Sequence, residues 1–501
     1  MAPSISHNTA SCGELTPKMI IKYKIPLILF FVSVIILLQS PCAPFANKVA
    51  EYDGGVFIYS AKQMINGGLI YKDIFDHKGP VLYLLDAVGL ILFNGNLTGI
   101  WFMELICLFI TSVFLFKTAQ LFADQFISSL TTIYSLFVLV ALEPGHGTQY
   151  YALPFISLSL YLFLKCLKHQ SILSIYQIIA ISIAFTITLL LQPNLVTIWL
   201  AFGVVVAMDL LIRKCFGRLI RSFLLVSIII SATLLPFIIY AIHNKLLSDA
   251  ISCYWLFNRI NPGPSINIIA KGAYYALVNI DKGHAFIPLF FYVVYLSSHW
   301  RRIDNLTMHI AICISLALTV TVGCGLSGRN YPHYAIIIVP LLCIITTFCL
   351  TTMKTTLGNS NCYCVLIVIA LSWRLLVLQA QYSYLAYKPN PQVINVVDII
   401  KSNSTSTDCI AVVGNDSQLY YLSDRRSCSK YHYTLPILDV KGFHIDMQKE
   451  YQKELANNKP KLIIIKTGDY PHPPEFIEEI LAKNYSKMDY QDKYVDIYKQ
   501  K

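Results

Sequence analysis

Apolar residues gather in long runs along this chain, separated by short polar breaks. The first run, Ile25–Leu38, follows Lys18, Lys22 and Lys24. Further runs fall near residues 99–122, 126–144, 153–167, 171–191, 195–213, 219–241, 284–298, 308–325, 334–353 and 362–380. Each approaches the roughly 20 apolar residues that carry a helix across a bilayer. The pattern predicts an α-helical polytopic membrane protein with about eleven transmembrane helices. Alternate loops hold Lys165 and Lys168, then Arg213, Lys214, Arg218 and Arg221, then Arg301 and Arg302, then Lys354. The loops around residues 145–152 and 192–194 hold no lysine or arginine. Basic loops stay inside, so residues 1–24 read as a cytoplasmic N-terminus. Ser40-Pro41-Cys42-Ala43 makes a poor cleavage site, which favours a retained signal anchor over a removed signal peptide.

Two shorter runs interrupt the first outer loop, residues 41–98. Pro80–Phe93 suits a helix entered through proline, but its length covers only about 21 Å and Asp86 breaks it. It reads as an interfacial helix rather than a crossing. In Val56–Ile65, Phe57, Ala61, Met64 and Ile65 share one face, while Ser60, Lys62 and Gln63 share another. Asn66-Gly67-Gly68 then supplies a tight turn.

Beyond the transmembrane domain, residues 25–384, the pattern changes. No run in 385–501 is long enough to span. Gln392–Ile400 and Pro474–Asn484 have helical spacing, while Cys409–Val413, Lys461–Ile465 and Val495–Tyr498 read as short strands. Alternation of the two predicts a small C-terminal α/β domain, placed outside with the first loop by span parity. It has no glycine-rich phosphate loop, so its expected role is structural or acceptor-positioning.

Composition agrees: 55% of residues are hydrophobic and 13% charged, against about 25% charged in soluble domains. The formal charge of +11 sits largely in inside loops, so it is no argument for a nucleic-acid partner. Most of the fourteen cysteines lie in spans, as small apolar residues. Cys409 and Cys428 lie in the exterior domain, where a disulfide and two free thiols are both open.

The first loop concentrates the chemistry. Asp53, Asp73, Asp76, His77 and Lys78 crowd a segment next to the bilayer, where ionisable groups must be solvated, paired or used. Asp53 suits three roles: accepting a proton from a hydroxyl, holding a divalent cation together with Asp76, or capping a helix that starts near Val56. Lys78, ahead of Gly79-Pro80, suits either a bound phosphate or a lipid headgroup.

Asp53 with Val56-Phe57-Ile58-Tyr59, then Gly67-Gly68-Leu69-Ile70-Tyr71-Lys72-Asp73, then Phe75-Asp76-His77-Lys78-Gly79-Pro80 with Leu82-Tyr83, resembles the first loop of GT-C membrane glycosyltransferases. More narrowly it resembles bacterial members of glycosyltransferase family 39, which includes protein O-mannosyltransferases and the aminoarabinose transferase of lipid A. Gln149-Tyr150-Tyr151-Ala152-Leu153-Pro154-Phe155 and Arg329-Asn330-Tyr331-Pro332-His333-Tyr334 resemble later outer-loop motifs. The resemblance implies an inverting hexosyl- or pentosyltransferase of the bacterial plasma membrane. Its donor would be a polyprenyl-phosphate sugar, and its acceptor a lipid, glycan or protein on the extracytoplasmic face. It implies that Asp53 is catalytic and that Lys78, with Arg329, meets the donor phosphate. Asp76, His77, Tyr83, Glu143, Gln149, His333 and Tyr334 are then candidates to line the site. The related motif often has glutamate where this chain has Gln149, which weakens a carboxylate role there. A polysaccharide polymerase or ligase would use similar donors. A transporter should show matched broken helices with charges at mid-bilayer, and a non-catalytic scaffold leaves Asp53 and Lys78 unexplained.

Overall fold

The computed structural model describes residues 17–46, 53–143, 145–260, 265–299, 305–356, 360–388, 390–438, 444–490 and 494–501. Arg301 and Arg302, expected on the inner side, lie outside these residues, as do residues 1–16. A helix covers every apolar run named above. The first nine are α1 (Pro17–Leu37), α2 (Asp53–Ile65), α3 (Pro80–Leu92), α4 (Thr98–Ala119), α5 (Gln125–Val138), α6 (Thr148–Lys168), α7 (Ile175–Leu191), α8 (Thr197–Ile212) and α9 (Phe216–His243). Among the described residues, seven helices are long and apolar enough to cross a membrane. They become eight if Ile266–Asp281 and Phe286–Ser297, bent by 105°, make one broken span. The expected eleven is therefore not what length and apolarity alone return, because α5, α7 and the described part of α1 are shorter apolar helices.

Local chemistry sets these boundaries. Asp124 caps α5 by accepting from the Ile127 N–H at 2.9 Å, and Ser174 with Gln177 forms a full capping box on α7. Helices α3 and α4 cross at Gly89 and Gly99; a Cβ on Gly99 would stand 1.9 Å from the Gly89 carbonyl oxygen. The basic loops collect at one end of the bundle. There the Arg213 guanidinium donates to the Gln170 carbonyl at 2.9 Å, Asn305 to the Lys168 carbonyl at 3.4 Å, and Lys354 pairs with Asp124 at 2.7 Å.

The first loop gathers at the opposite end, and two expectations about it change. Helix α2 has already begun at Asp53, so Asp53 is not a cap for a helix starting near Val56. Ser60 does not face solvent with Lys62 and Gln63. It is fully buried, because another part of the chain covers that face.

That part begins at the helix Pro391–Asn403, whose Val393, Val396, Val397 and Ile400 recur at helical spacing and pack on a sheet. Strands β1 (Cys409–Val413), β2 (Arg426–Ser427), β3 (Leu462–Lys466), β4 (Tyr485–Lys487) and β5 (Val495–Gln500) align in the order β2-β1-β3-β5-β4. Strand β1 runs parallel to β2 and β3, while β3–β5 and β5–β4 are antiparallel. Cys409 and Cys428 are joined by a disulfide that ties β1 to the residue after β2.

The sheet domain docks on the first loop. The Tyr59 hydroxyl accepts the Ser427 N–H at 2.8 Å, and Lys62 pairs with Asp424 at 2.6 Å. The Phe75 N–H donates to the Lys430 carbonyl at 2.9 Å. Between the two bodies, the His432 ring contacts Ser417 Oγ through Nδ1 at 2.9 Å and Ser60 Oγ through Nε2 at 3.3 Å. First loop and terminal domain thus share one end of the bundle.

Candidate active site

A cavity of about 620 Å³ opens between the helical bundle and the docked sheet. It is built from six regions far apart in sequence. The turn after α1 gives Gln39, the first loop gives Asp53 and Lys78, and the α5–α6 connection with the start of α6 gives Glu143, His146 and Gln149. The segment before Val339–Thr356 adds Tyr331 and His333, the helix Asn361–Tyr387 adds Tyr382 and Leu385, and the sheet domain adds Asn415 and Leu435.

Asp53 stands in the first turn of α2 and is exposed toward this space. Lys78 is held from three sides through its own backbone and that of its neighbours. The Tyr71 hydroxyl donates to the Lys78 carbonyl at 2.8 Å, Asn258 Nδ2 to the His77 carbonyl at 2.7 Å, and the Gly79 N–H to the Leu191 carbonyl at 3.0 Å. A Cβ on Gly79 would lie 1.8 Å from the Leu190 carbonyl oxygen, so only glycine lets this strand of chain approach α7. The Lys78 side chain is only 5% exposed, yet it lines the cavity. Among the described residues it makes no hydrogen bond and no ion pair. Its ammonium opens on the cavity and presents its charge to whatever anion enters.

Glu143 pairs with His333 Nδ1 at 3.2 Å, joining two of the cavity walls. His333 also stacks on Tyr331 and meets Tyr334 edge-on. Gln149 is buried in the wall and keeps a neutral amide there. Behind it, His146 Nε2 contacts Asp86 at 3.1 Å, and Tyr151 donates to the other Asp86 oxygen at 2.6 Å. The His146 N–H donates to Glu104, whose second oxygen accepts from Ser40 at 3.1 Å. Burial opposes a charge on His146, but Asp86, Glu104 and Glu143 together raise its pKa. Asp86, Glu104 and Tyr151 in this network were not among the expected site residues. Its signal was an acid inside an apolar helix, Asp86 in α3 and Glu104 in α4.

Asp53, Lys78, Glu143, Gln149 and His333 are thus brought together, and other candidates stand apart. Asp76 is 1% exposed, is not part of the cavity wall, and accepts from the His77 N–H at 2.6 Å and the Tyr433 hydroxyl at 2.7 Å. Burial works against its charge, yet His77 and the Tyr433 hydroxyl hold its carboxyl well below the usual range. His77 Nδ1 meets the Tyr433 hydroxyl at 3.1 Å, and Tyr83 is fully buried beside Asp76. Asp76 and His77 bind the loop to the sheet domain through Tyr433. Asp76 thus does not line the cavity that Asp53 faces, and among the described residues no group of three or more metal-ligating side chains forms. Arg329 is exposed, lies over the Tyr331 ring and is absent from the cavity wall; Tyr334 is half-buried behind His333.

Residues 16–361 match the family described as "Putative competence-induced protein Ccs4 N-terminal domain", and residues 392–501 match the Ccs4 C-terminal domain. The chain belongs to the Ccs4 family. No curated protein matches it. Among solved structures, this Ccs4 chain is similar to ArnT from Cupriavidus metallidurans in the apo state, with 14% identity and a TM-score of 0.58. That match covers 94% of this chain and 97% of the other. ArnT bound to undecaprenyl phosphate gives 14% identity and a TM-score of 0.57, over 96% and 97%. The oligosaccharyltransferase AglB from Archaeoglobus fulgidus, in complex with an inhibitory peptide and a dolichol-phosphate, gives 12% and 0.56, over 93% and 73%. Both relatives are GT-C glycosyltransferases, and the Ccs4 chain has their fold over most of its length.

Proposed function

We propose that this protein is a membrane glycosyltransferase that moves a sugar from a polyprenyl-phosphate donor to a lipid, glycan or protein acceptor. The observation that carries the reading is Lys78: a buried residue whose ammonium has no protein partner among the described residues and opens on the cavity that Asp53 also faces. Such a group fits the phosphate of a lipid-linked donor. The neighbouring ArnT structure with undecaprenyl phosphate and the AglB structure with a dolichol-phosphate support a donor of that class.

Asp53 takes the proton of the acceptor hydroxyl as its oxygen attacks the anomeric carbon. The bond from that carbon to the phosphate oxygen breaks, and the electron pair leaves on the phosphate, where Lys78 stabilises it. A single displacement of this kind inverts the anomeric centre. The Glu143–His333 pair fixes the opposite wall, so the donor enters a preformed space.

The site belongs on the extracytoplasmic face of a bacterial plasma membrane. The first loop and sheet domain occupy the end opposite the basic loops, and positive charge stays inside. With α5 and α7 counted as short crossings and the bent pair Ile266–Asp281 and Phe286–Ser297 as one span, an even number of spans separates loop from sheet, as their contact requires.

Binding of undecaprenyl phosphate to purified protein in nanodiscs tests the reading. Lys78→Met should weaken it about 10- to 100-fold, the size of a charge-assisted phosphate contact. Affinity unchanged by that substitution refutes the phosphate site.

A further inference from the structure

The helical bundle does not close the cavity alone; the sheet domain contributes Asn415. Asn415 lies in the loop that leaves the carboxyl end of β1, next to the exit of its parallel neighbour β3. Ligands of open α/β sheets bind beyond the carboxyl ends of parallel strands.

The loop is held firmly. Gly414 has φ +137°, its N–H donates to Thr434 Oγ1 at 2.9 Å, and a Cβ there would press on Lys466 and Asp469 at 2.8 and 2.9 Å. The Asn415 N–H donates to Asp469 Oδ2 at 2.8 Å. The next residue, Asp416, is fully buried and accepts from Gln418 Nε2 at 2.7 Å and from the Tyr494 hydroxyl. Backbone bonds on both sides therefore aim a side chain whose own carboxamide is uncommitted. Asn415 is only 8% exposed, lines the cavity, and its Oδ1 has no hydrogen-bond partner among the described residues. Exchanging the amide oxygen and nitrogen would leave an unpartnered N–H₂ in the same place.

A buried polar atom without a partner is unfavourable unless a ligand completes it. Lys78 and Asp53 are charged groups suited to phosphate and proton. A carboxamide, with acceptor and donors side by side, matches a neutral hydroxyl. We propose that Asn415 hydrogen-bonds a hydroxyl of the donor sugar, so that the sheet domain reads the sugar while the bundle holds its phosphate. This inference rests on the proposed donor class.

The test compares binding of undecaprenyl phosphate, bare and carrying glucose, galactose or mannose, to the full-length protein in nanodiscs. Wild type should bind at least one charged carrier more tightly than the bare one. Asn415→Leu should remove that preference, a loss of about 2- to 10-fold, while bare-carrier affinity stays put. Asn415→Asp, which still accepts a hydroxyl, should retain part of it. Should Asn415→Leu also lose the bare carrier, Asn415→Ala repeats the measurement without added bulk. A preference that survives in Asn415→Leu or Asn415→Ala overturns the role of Asn415 and leaves the donor class standing. A wild type that binds bare carrier with no preference for any charged one also overturns it. A wild type that binds no carrier at all removes the donor class itself, and the inference falls with it.

Discussion

Acid should loosen the docked sheet domain through a single imidazole. His432 sits between the Ser417 and Ser60 hydroxyls with 1% of its surface exposed, and burial pushes its pKa down to about 4 despite the nearby Asp76. In an undocked or unfolded chain the ring returns to about 6.5. Between those values the open state binds the extra proton, so stability rises with pH across the window. The contribution is complete above pH 6.5, shrinks as pH falls toward 4, and is gone below it. A difference of about 2.5 units at 1.36 kcal/mol each amounts to roughly 3 kcal/mol.

Other groups at the junction titrate elsewhere or in the opposite sense. Asp76 and Asp424, both lowered, hold their charge until pH falls below the ordinary carboxylate range. Burial raises Glu454, which works against the His432 slope rather than with it. The clean measurement is therefore a difference. Hydrogen exchange of α2 and β1 in nanodiscs is followed from pH 7 to 4 for wild type and His432→Asn, which keeps one polar partner but cannot titrate there. Wild type should lose about 3 kcal/mol of protection more than the variant. Equal acid slopes in the two proteins would show that His432 is not the responsive group.

Three further outcomes are expected. Asp53→Asn should lower transfer on the order of 10²–10⁴-fold while undecaprenyl phosphate still binds, and near-wild-type turnover of the purified variant would remove Asp53 from the chemistry. Gly79→Ala should lower thermal stability by about 1–3 kcal/mol and weaken carrier binding with it, because the new methyl must displace the Leu190 carbonyl and with it Lys78; a variant with native melting and affinity would contradict that packing. Single cysteines at the exposed Asn66 and Asn457, in a background without reactive native thiols, should both react with an impermeant reagent added from outside the plasma membrane. Labelling of either one only after that membrane is broken would place the cavity on the cytoplasmic side.

Periodicity was legible where one face of an element is decided locally. Cys409–Val413 is a strand with those bounds, and the run from Pro80 is a helix entered through its proline. Pairing between distant segments was not legible. Ser60 lies on the polar face of α2, and only a histidine 372 residues later makes that face an interior one. Asp76 and His77 look like free loop charges until Tyr433 arrives from the sheet domain. Strand β2 is two residues long and has no pattern to read. Asp86 was visible as an acid in an apolar run, but the sequence says only that the run is a poor span. The histidine and tyrosine that hold it come from the α5–α6 connection and α6.

The same distant pairing explains why the cavity depends on both bodies. The first loop has three neighbouring charged or titratable residues, Asp76, His77 and Lys78, yet only Lys78 reaches the cavity. Tyr433 takes the first two, and the backbone bonds around Gly79 hold the third in place. Docking of the sheet thus sorts the charges: Tyr433 engages Asp76 and His77, and Lys78 is left on the cavity wall. Undocking would return all three to solvent, where the Lys78 charge is screened and its attraction for phosphate drops. On the proposed role of Lys78, the sheet domain is a condition of donor binding even though the phosphate would meet the loop.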